Sequence, residues 1–350
     1  MCIYYKDKDS LNYQGQEHIF PAAIGGIMTL PKGYVSDEFN SAISKLEQNF
    51  IRESFISIAR QLEGPGKRGR QSEKYATKSK VFVVQNSTNN CVSGLAYIKL
   101  GKPHEILSIK LNIETGVIEF GYSKDLYKGE IDHKAMFTSY CKAVETLRIR
   151  EILDDRLPKD IVFFGVDTEV EENHNAFFAK HPESLYELNE EIIHRIGISL
   201  EEAGTGQNII YRPLLRQGIT FRLDDLRVYG KIAFNFLAHI MGYEYARRKD
   251  FDGFRNWIAF GNGEGFVMLH NEYNFYYSLG LKPPSVHHVI LIKVESALLA
   301  HISFYGGLGA VATLSRNFTD DFKETGLFCD WRSKKEYSLE EYIRLLPVVN

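Results

Sequence analysis

Glu17, His18 and Asn40, near the start of the chain, have the residue types and spacing for phosphodiester chemistry. An imidazole takes a proton from water near neutral pH. A carboxylate beside it helps to hold a hard divalent ion, and an Asn on a following helix supplies another neutral oxygen. An ion so held stabilises the pentavalent phosphate and the leaving oxygen.

Positioning these groups requires a strand end, a turn and a helix. Residues 1–31 are short and turn-rich, with Pro21, Gly25, Gly26, Pro31 and Gly33 as punctuation, and read as two strands. The Gly25-Gly26 pair lets the chain reverse without a Cβ clash. A helix starts near Ser36, a good N-cap, with Asp37 and Glu38 in its first turn. Phe39, Ile43, Leu46 and Phe50, then Ile51, Phe55, Ile58 and Leu62, give it one apolar face with a bend near Phe50. Gly64-Pro65-Gly66 ends it.

The stretch Glu17-His18-Ile19-Phe20-Pro21 to Gly25-Gly26, with Asn40 opening a helix, resembles the HNH endonuclease family (ββα-metal nucleases). The branch in question reads C-x-x-C, then E-H-I-x-P-x-x-x-G-G, then C-x-x-C-N. The resemblance covers about the first 70 residues, including Gly-Pro-Gly-Lys-Arg-Gly after the helix, and a weaker likeness lies in residues 231–238. It implies His18 as general base and Glu17 and Asn40 as ligands of one Mg²⁺ or Mn²⁺ ion. It also implies a metal-dependent endonuclease of bacterial or phage defence, with nucleic acid as partner and DNA favoured. A homodimer is one way such an enzyme cuts both strands. The family's zinc pairs fall at Cys2 and Tyr5 and at Ser36 and Phe39, so three of the four ligands are missing. Structural zinc needs four ligands, so none is expected, and packing by Tyr5 and Phe39 replaces it. The middle Asn of many HNH sites has no counterpart; Lys32 or Gly33 lies near its place. That gap makes the alternative a degenerate HNH fold kept for binding nucleic acid or a protein.

Residues 67–80 form a basic segment. Lys67, Arg68 and Arg70 are flanked by glycines and can approach phosphates, although such runs are often solvated linkers. The 350 residues carry a net charge of -3, so any nucleic-acid contact depends on such a local concentration. Four scattered cysteines give no disulfide framework, no secretory signal opens the chain, and no apolar run spans a bilayer. The expectation is a cytoplasmic protein with no membrane partner.

The fold class expected is α+β: an N-terminal ββα-metal unit in residues 1–80, followed by a mixed α/β recognition or regulatory region in residues 81–350, with a sub-boundary near 204–212. Strands are expected at 81–84, 94–99, 106–113, 117–122, 161–166, 286–294 and 298–314. Helices are expected at 137–152, 182–197, 222–248 and 254–260. His239 reads as a core or core-edge histidine. His287 and His288 face opposite sides of a strand and so cannot easily share a ligand. Gly306-Gly307-x-Gly309 reads as a hairpin or bulge.

Overall fold

Ser36 caps the first helix as its hydroxyl allows, its Oγ accepting a hydrogen bond from the Phe39 amide at 3.3 Å. The computed structural model describes residues 2–54, 56–65, 76, 78–86, 89, 91–121, 132–167, 175–202, 213–214, 222–262, 265–271 and 286–345. Helix α1 spans Asp37–Glu53 and α2 spans Ile56–Glu63. The expected bend near Phe50 is a break at Ser54. Its hydroxyl donates to the Phe50 carbonyl at 2.6 Å, competing with the helical ladder there. The chain is mixed α and β, and it divides into two compact units: residues 1–77 with 219–350, and residues 78–218.

The inserted unit contains β1 (Phe82–Asn86), β2 (Val92–Lys99), β3 (Lys102–Asn112), β4 (Ile118–Gly121), α3 (His133–Lys142), β5 (Arg148–Leu153), β6 (Ile161–Asp167), β7 (Asn175–Lys180), α4 (Glu190–Glu202) and β8 (Pro213–Leu214). Its sheet runs β5-β7-β6-β3-β2-β1-β8, with β4 on β3. β6 is buried along its whole length, which accounts for its unbroken apolar sequence. Residues 137–152 do not form one helix: α3 ends at Lys142, and β5 pairs in parallel with β7 from Arg148, where β-branched Ile149 and Ile152 suit a strand. α4 begins at Glu190, later than the expected 182.

The returning chain forms α5 (Leu223–Met241), α6 (Tyr243–Ala246), α7 (Asp252–Phe260), β9 (Val267–Asn271), β10 (His287–Val294), β11 (Ala297–Ser303), β12 (Leu308–Ser315), β13 (Thr325–Asp330), β14 (Lys335–Ser338) and α8 (Leu339–Leu345). The expected helix 222–248 stops at Gly242, whose φ of 85° ends the α-helical run. The expected strand 298–314 is β11 and β12, reversing through Gly306-Gly307. The antiparallel sheet runs β14-β13-β10-β11-β12-β9. α5 is buried on every side from Val228 to Ala238 because it packs against both this sheet and α1.

Residues 1–80 therefore do not stand as a domain of their own. Ile3, Tyr4, Phe20, Phe39 and Phe50 share one core with α5 and the sheet. So short a segment has too little interior to bury these rings alone. The chain leaves this unit between residues 77 and 78, beside the expected boundary at 80, and returns between 218 and 219, beyond the expected 204–212. Among the described residues no helix is long and apolar enough to cross a membrane.

Candidate functional site

A short antiparallel pairing carries Glu17 and His18. The Leu30 amide donates to the Glu17 carbonyl at 2.8 Å, the Ile19 amide donates to the Met28 carbonyl at 3.0 Å, and His18 bridges Thr29. The reversal between them uses both glycines. Gly25 has φ +101°, and a Cβ on Gly26 would lie 2.0 Å from the Phe20 carbonyl oxygen. Asp37, in the first turn of α1, accepts from the amides of Gln14 at 2.9 Å and Gly15 at 3.0 Å. These bonds pin the loop that leads into Glu17 and hold Asp37 below the usual carboxylate range. The two strands expected in residues 1–31 are thus reduced to a single bridged pair, His18 with Thr29, ahead of α1, because the reversal through Gly25 and Gly26 leaves only a short paired stretch.

The four positions where the resemblance puts zinc ligands come together. The Cys2 Sγ accepts from the Ser36 amide at 3.4 Å. The Tyr5 and Phe39 rings meet edge to face at 5.5 Å, and Tyr4 stacks on Phe39 at 3.8 Å. One thiol, one hydroxyl and two rings fill this corner, and all four residues are buried.

Below that corner lies the charged centre. Glu17 is only 5% exposed, and its carboxylate accepts from the ammonium of Lys231 on α5. The same ammonium donates to Glu47 of α1 at 2.5 Å. Burial alone would push Lys231 down, but Glu47 and Glu17 outweigh it and hold its pKa above that of an ordinary lysine. Burial pushes Glu47 up, and Lys231 offsets only part of this. One turn along α5 from Lys231, the Asn235 amide donates to the His18 carbonyl at 2.9 Å and accepts from the Tyr4 hydroxyl at 2.6 Å. His18 itself is half-buried. Burial, and then Lys231, lower its pKa against the opposing pull of Glu47 and Glu336. It is therefore neutral at pH 7 and able to accept a proton.

Glu17 and His18 thus meet at one place, together with Glu47, Lys231 and Asn235. Asn40 stands beside Gly15. It lies seven residues before Glu47 on α1, about 10 Å along the axis. A divalent ion at Glu17 and Asn40 does not fit this arrangement, since the Glu17 carboxylate is buried and already matched by a fixed ammonium. Among the described residues, no three His, Cys, Asp or Glu side chains group as metal ligands. Lys67, Arg68 and Arg70 lie outside the described residues.

Glu47, Tyr4 and Glu336 carry no sequence pattern that marks them as part of a site. Lys231 and Asn235 do carry one: two polar residues at i, i+4 inside an otherwise apolar helix require buried partners. His239, expected at the core or its edge, is exposed and directly follows the last buried residue of α5, Ala238. His287 stacks on Trp331 while His288 bonds His301, so the two neighbours do face different surroundings.

Comparison with protein-family models, with curated proteins and with solved structures finds no match for this chain.

Proposed function

We propose that this protein cleaves phosphodiester bonds in nucleic acid through an HNH-like ββα unit in residues 2–53, with His18 as the proton acceptor. The observation that supports this is the setting of His18. It sits on a pinned segment, its carbonyl is fixed by Asn235, and burial lowers the pKa of its half-buried imidazole, which favours the proton-accepting form. His18 would take the proton of the oxygen attacking phosphorus while the bond to the leaving oxygen breaks. The resemblance favours DNA as substrate and bacterial or phage defence as setting. Residues 78–218 are then the part that recognises substrate or a trigger.

A second reading is favoured by the Glu17–Lys231 pair: a ββα fold whose cation position is taken by a lysine, kept for binding without cutting. One experiment separates the two. Wild type and His18→Ala are incubated with supercoiled plasmid, linear duplex, single-stranded DNA and RNA, in Mg²⁺, Mn²⁺ or EDTA. Cutting by wild type that the variant loses is the expected result. No cutting under any condition, with mobility shifts that the variant retains, would replace cleavage with binding.

A further inference from the structure

Lys231, Asn235 and His239 fall at i, i+4 and i+8 on α5, so they form one stripe along the helix. The first reaches the Glu17 carboxylate and the second reaches the His18 carbonyl at 2.9 Å. His239 follows about one turn, roughly 6 Å, beyond Asn235. It is the first residue of the stripe to stand in solvent. From the other side comes Glu336 of β14. Its carboxylate accepts from the Ile27 amide at 3.1 Å and the Met28 amide at 2.6 Å, next to the Thr29 that bridges His18. Its charge reaches both imidazoles. The half-buried His18 and the exposed His239 therefore both feel the charge of one anchored carboxylate, while the neighbouring Glu17 is committed to Lys231.

Breaking a phosphodiester takes a base for the attacking oxygen and an acid for the departing one. In DNA the attacker is an external water. In RNA the adjoining 2′-hydroxyl is already in place, and an intramolecular nucleophile carries a large effective molarity. A pair of imidazoles then suffices. We propose that His239 is the general acid that partners His18, and that the substrate of this site is RNA, cleaved without a metal ion. This rests on the cleavage reading above and replaces its DNA preference.

The step balances with the two histidines alone. His18 removes the proton of the 2′-hydroxyl, and the 2′-oxygen bonds to phosphorus. The bond from phosphorus to the 5′-oxygen breaks, and His239 delivers its proton to that oxygen. The products are a 2′,3′-cyclic phosphate and a 5′-hydroxyl end, and solvent restores the two protonation states. The charged groups around the pair are Glu336 from β14, Glu47 from α1 and Lys231 from α5.

The test uses the full chain and an end-labelled single-stranded RNA in EDTA. Wild type leaves a 2′,3′-cyclic phosphate, and His18→Ala and His239→Ala each lose about 10²–10⁴-fold. The same RNA with a bridging 5′-sulfur at the cut position has a leaving group that needs no proton. On it His239→Ala, and likewise His239→Gln, regain the wild-type rate while His18→Ala stays slow. A defect of His239→Ala that is equal on both RNAs, or cutting that requires Mg²⁺ or Mn²⁺ or extends to DNA, overturns this inference and leaves the nuclease reading standing. No cutting of any nucleic acid by wild type overturns both.

Discussion

Replacing Lys231 with Met removes the one cation from a centre that holds two carboxylates. Lys231 is 0% exposed, and the side chains of Glu17 and Glu47 are 5% and 13% exposed, so water cannot take over the role of the ammonium. Losing one partner of a buried ion pair costs about 3–5 kcal/mol, because a charge is left uncompensated. With Lys231→Met two are left, and about 4 kcal/mol corresponds to roughly a thousandfold in the folding constant. Glu47→Gln works in the opposite direction. Burial raises the Glu47 pKa, so the folded state holds its proton more tightly than the unfolded state does. Its stabilising share is full below the unfolded value of 4.5 and is lost as pH rises through the folded value. At pH 7 the amide, which carries no charge to desolvate, should therefore cost less than about 1 kcal/mol or stabilise. Urea unfolding followed by tryptophan fluorescence reads this unit alone, since both tryptophans, Trp257 and Trp331, belong to it and are buried. A loss under about 1 kcal/mol for Lys231→Met, or a loss for Glu47→Gln equal to it, would refute the centre as described.

Burial drives His287 down to about 3 and His301 down to about 4, and it lowers His288 as well. Their stabilising effect is complete above the unfolded value of 6.5 and fades as pH falls from there, by up to ~1.4 kcal/mol per pH unit for each; a urea midpoint that stays flat from neutral pH into this range would contradict it. Gly26→Ala drives a Cβ to 2.0 Å from the Phe20 carbonyl oxygen and should cost about 3 kcal/mol. Gly33→Ala, with nothing within 4 Å but φ at +94°, should cost about 1 kcal/mol, so equal midpoints for the two would count against the tight reversal. Tyr4→Phe leaves the Asn235 Oδ1 without its buried donor and should cost about 1–3 kcal/mol in the same unfolding assay.

The elements that could be read from the chain are those whose cause is local. Ser36 with Asp37 and Glu38 marks a helix start wherever it occurs, and Gly64-Pro65 marks an end. The alternation in residues 94–99 and 106–113 marks strands. Local pattern fails where a partner decides. Residues 148–153 continue a periodicity that a helix could also use, and only pairing with β7 makes them a strand. β7 itself, Asn175–Lys180, has no alternation of apolar and polar residues to announce it. The separate N-terminal domain is a failure of the same kind. Its apolar residues look sufficient when counted along the chain, but the surfaces that cover them arrive with α5 and the sheet.

The site divides along the same line. Glu17 and His18 stand out by spacing, and Lys231 and Asn235 by being polar within an apolar helix, yet neither pattern refers to the other. Their meeting changes the chemistry that each suggests by itself. A carboxylate beside a histidine reads as a metal ligand until a buried ammonium is found against it. A buried lysine reads as a liability until two carboxylates are found to hold it. Once paired, Glu17 fixes α5 against the segment that carries it, and α5 then sets where Asn235 and His239 stand relative to His18. The lysine thus carries the positional burden that a bound ion carries in a metal site. On the proposed reading, the proton-transfer burden passes to the half-buried His18 and to the exposed histidine two turns beyond the lysine.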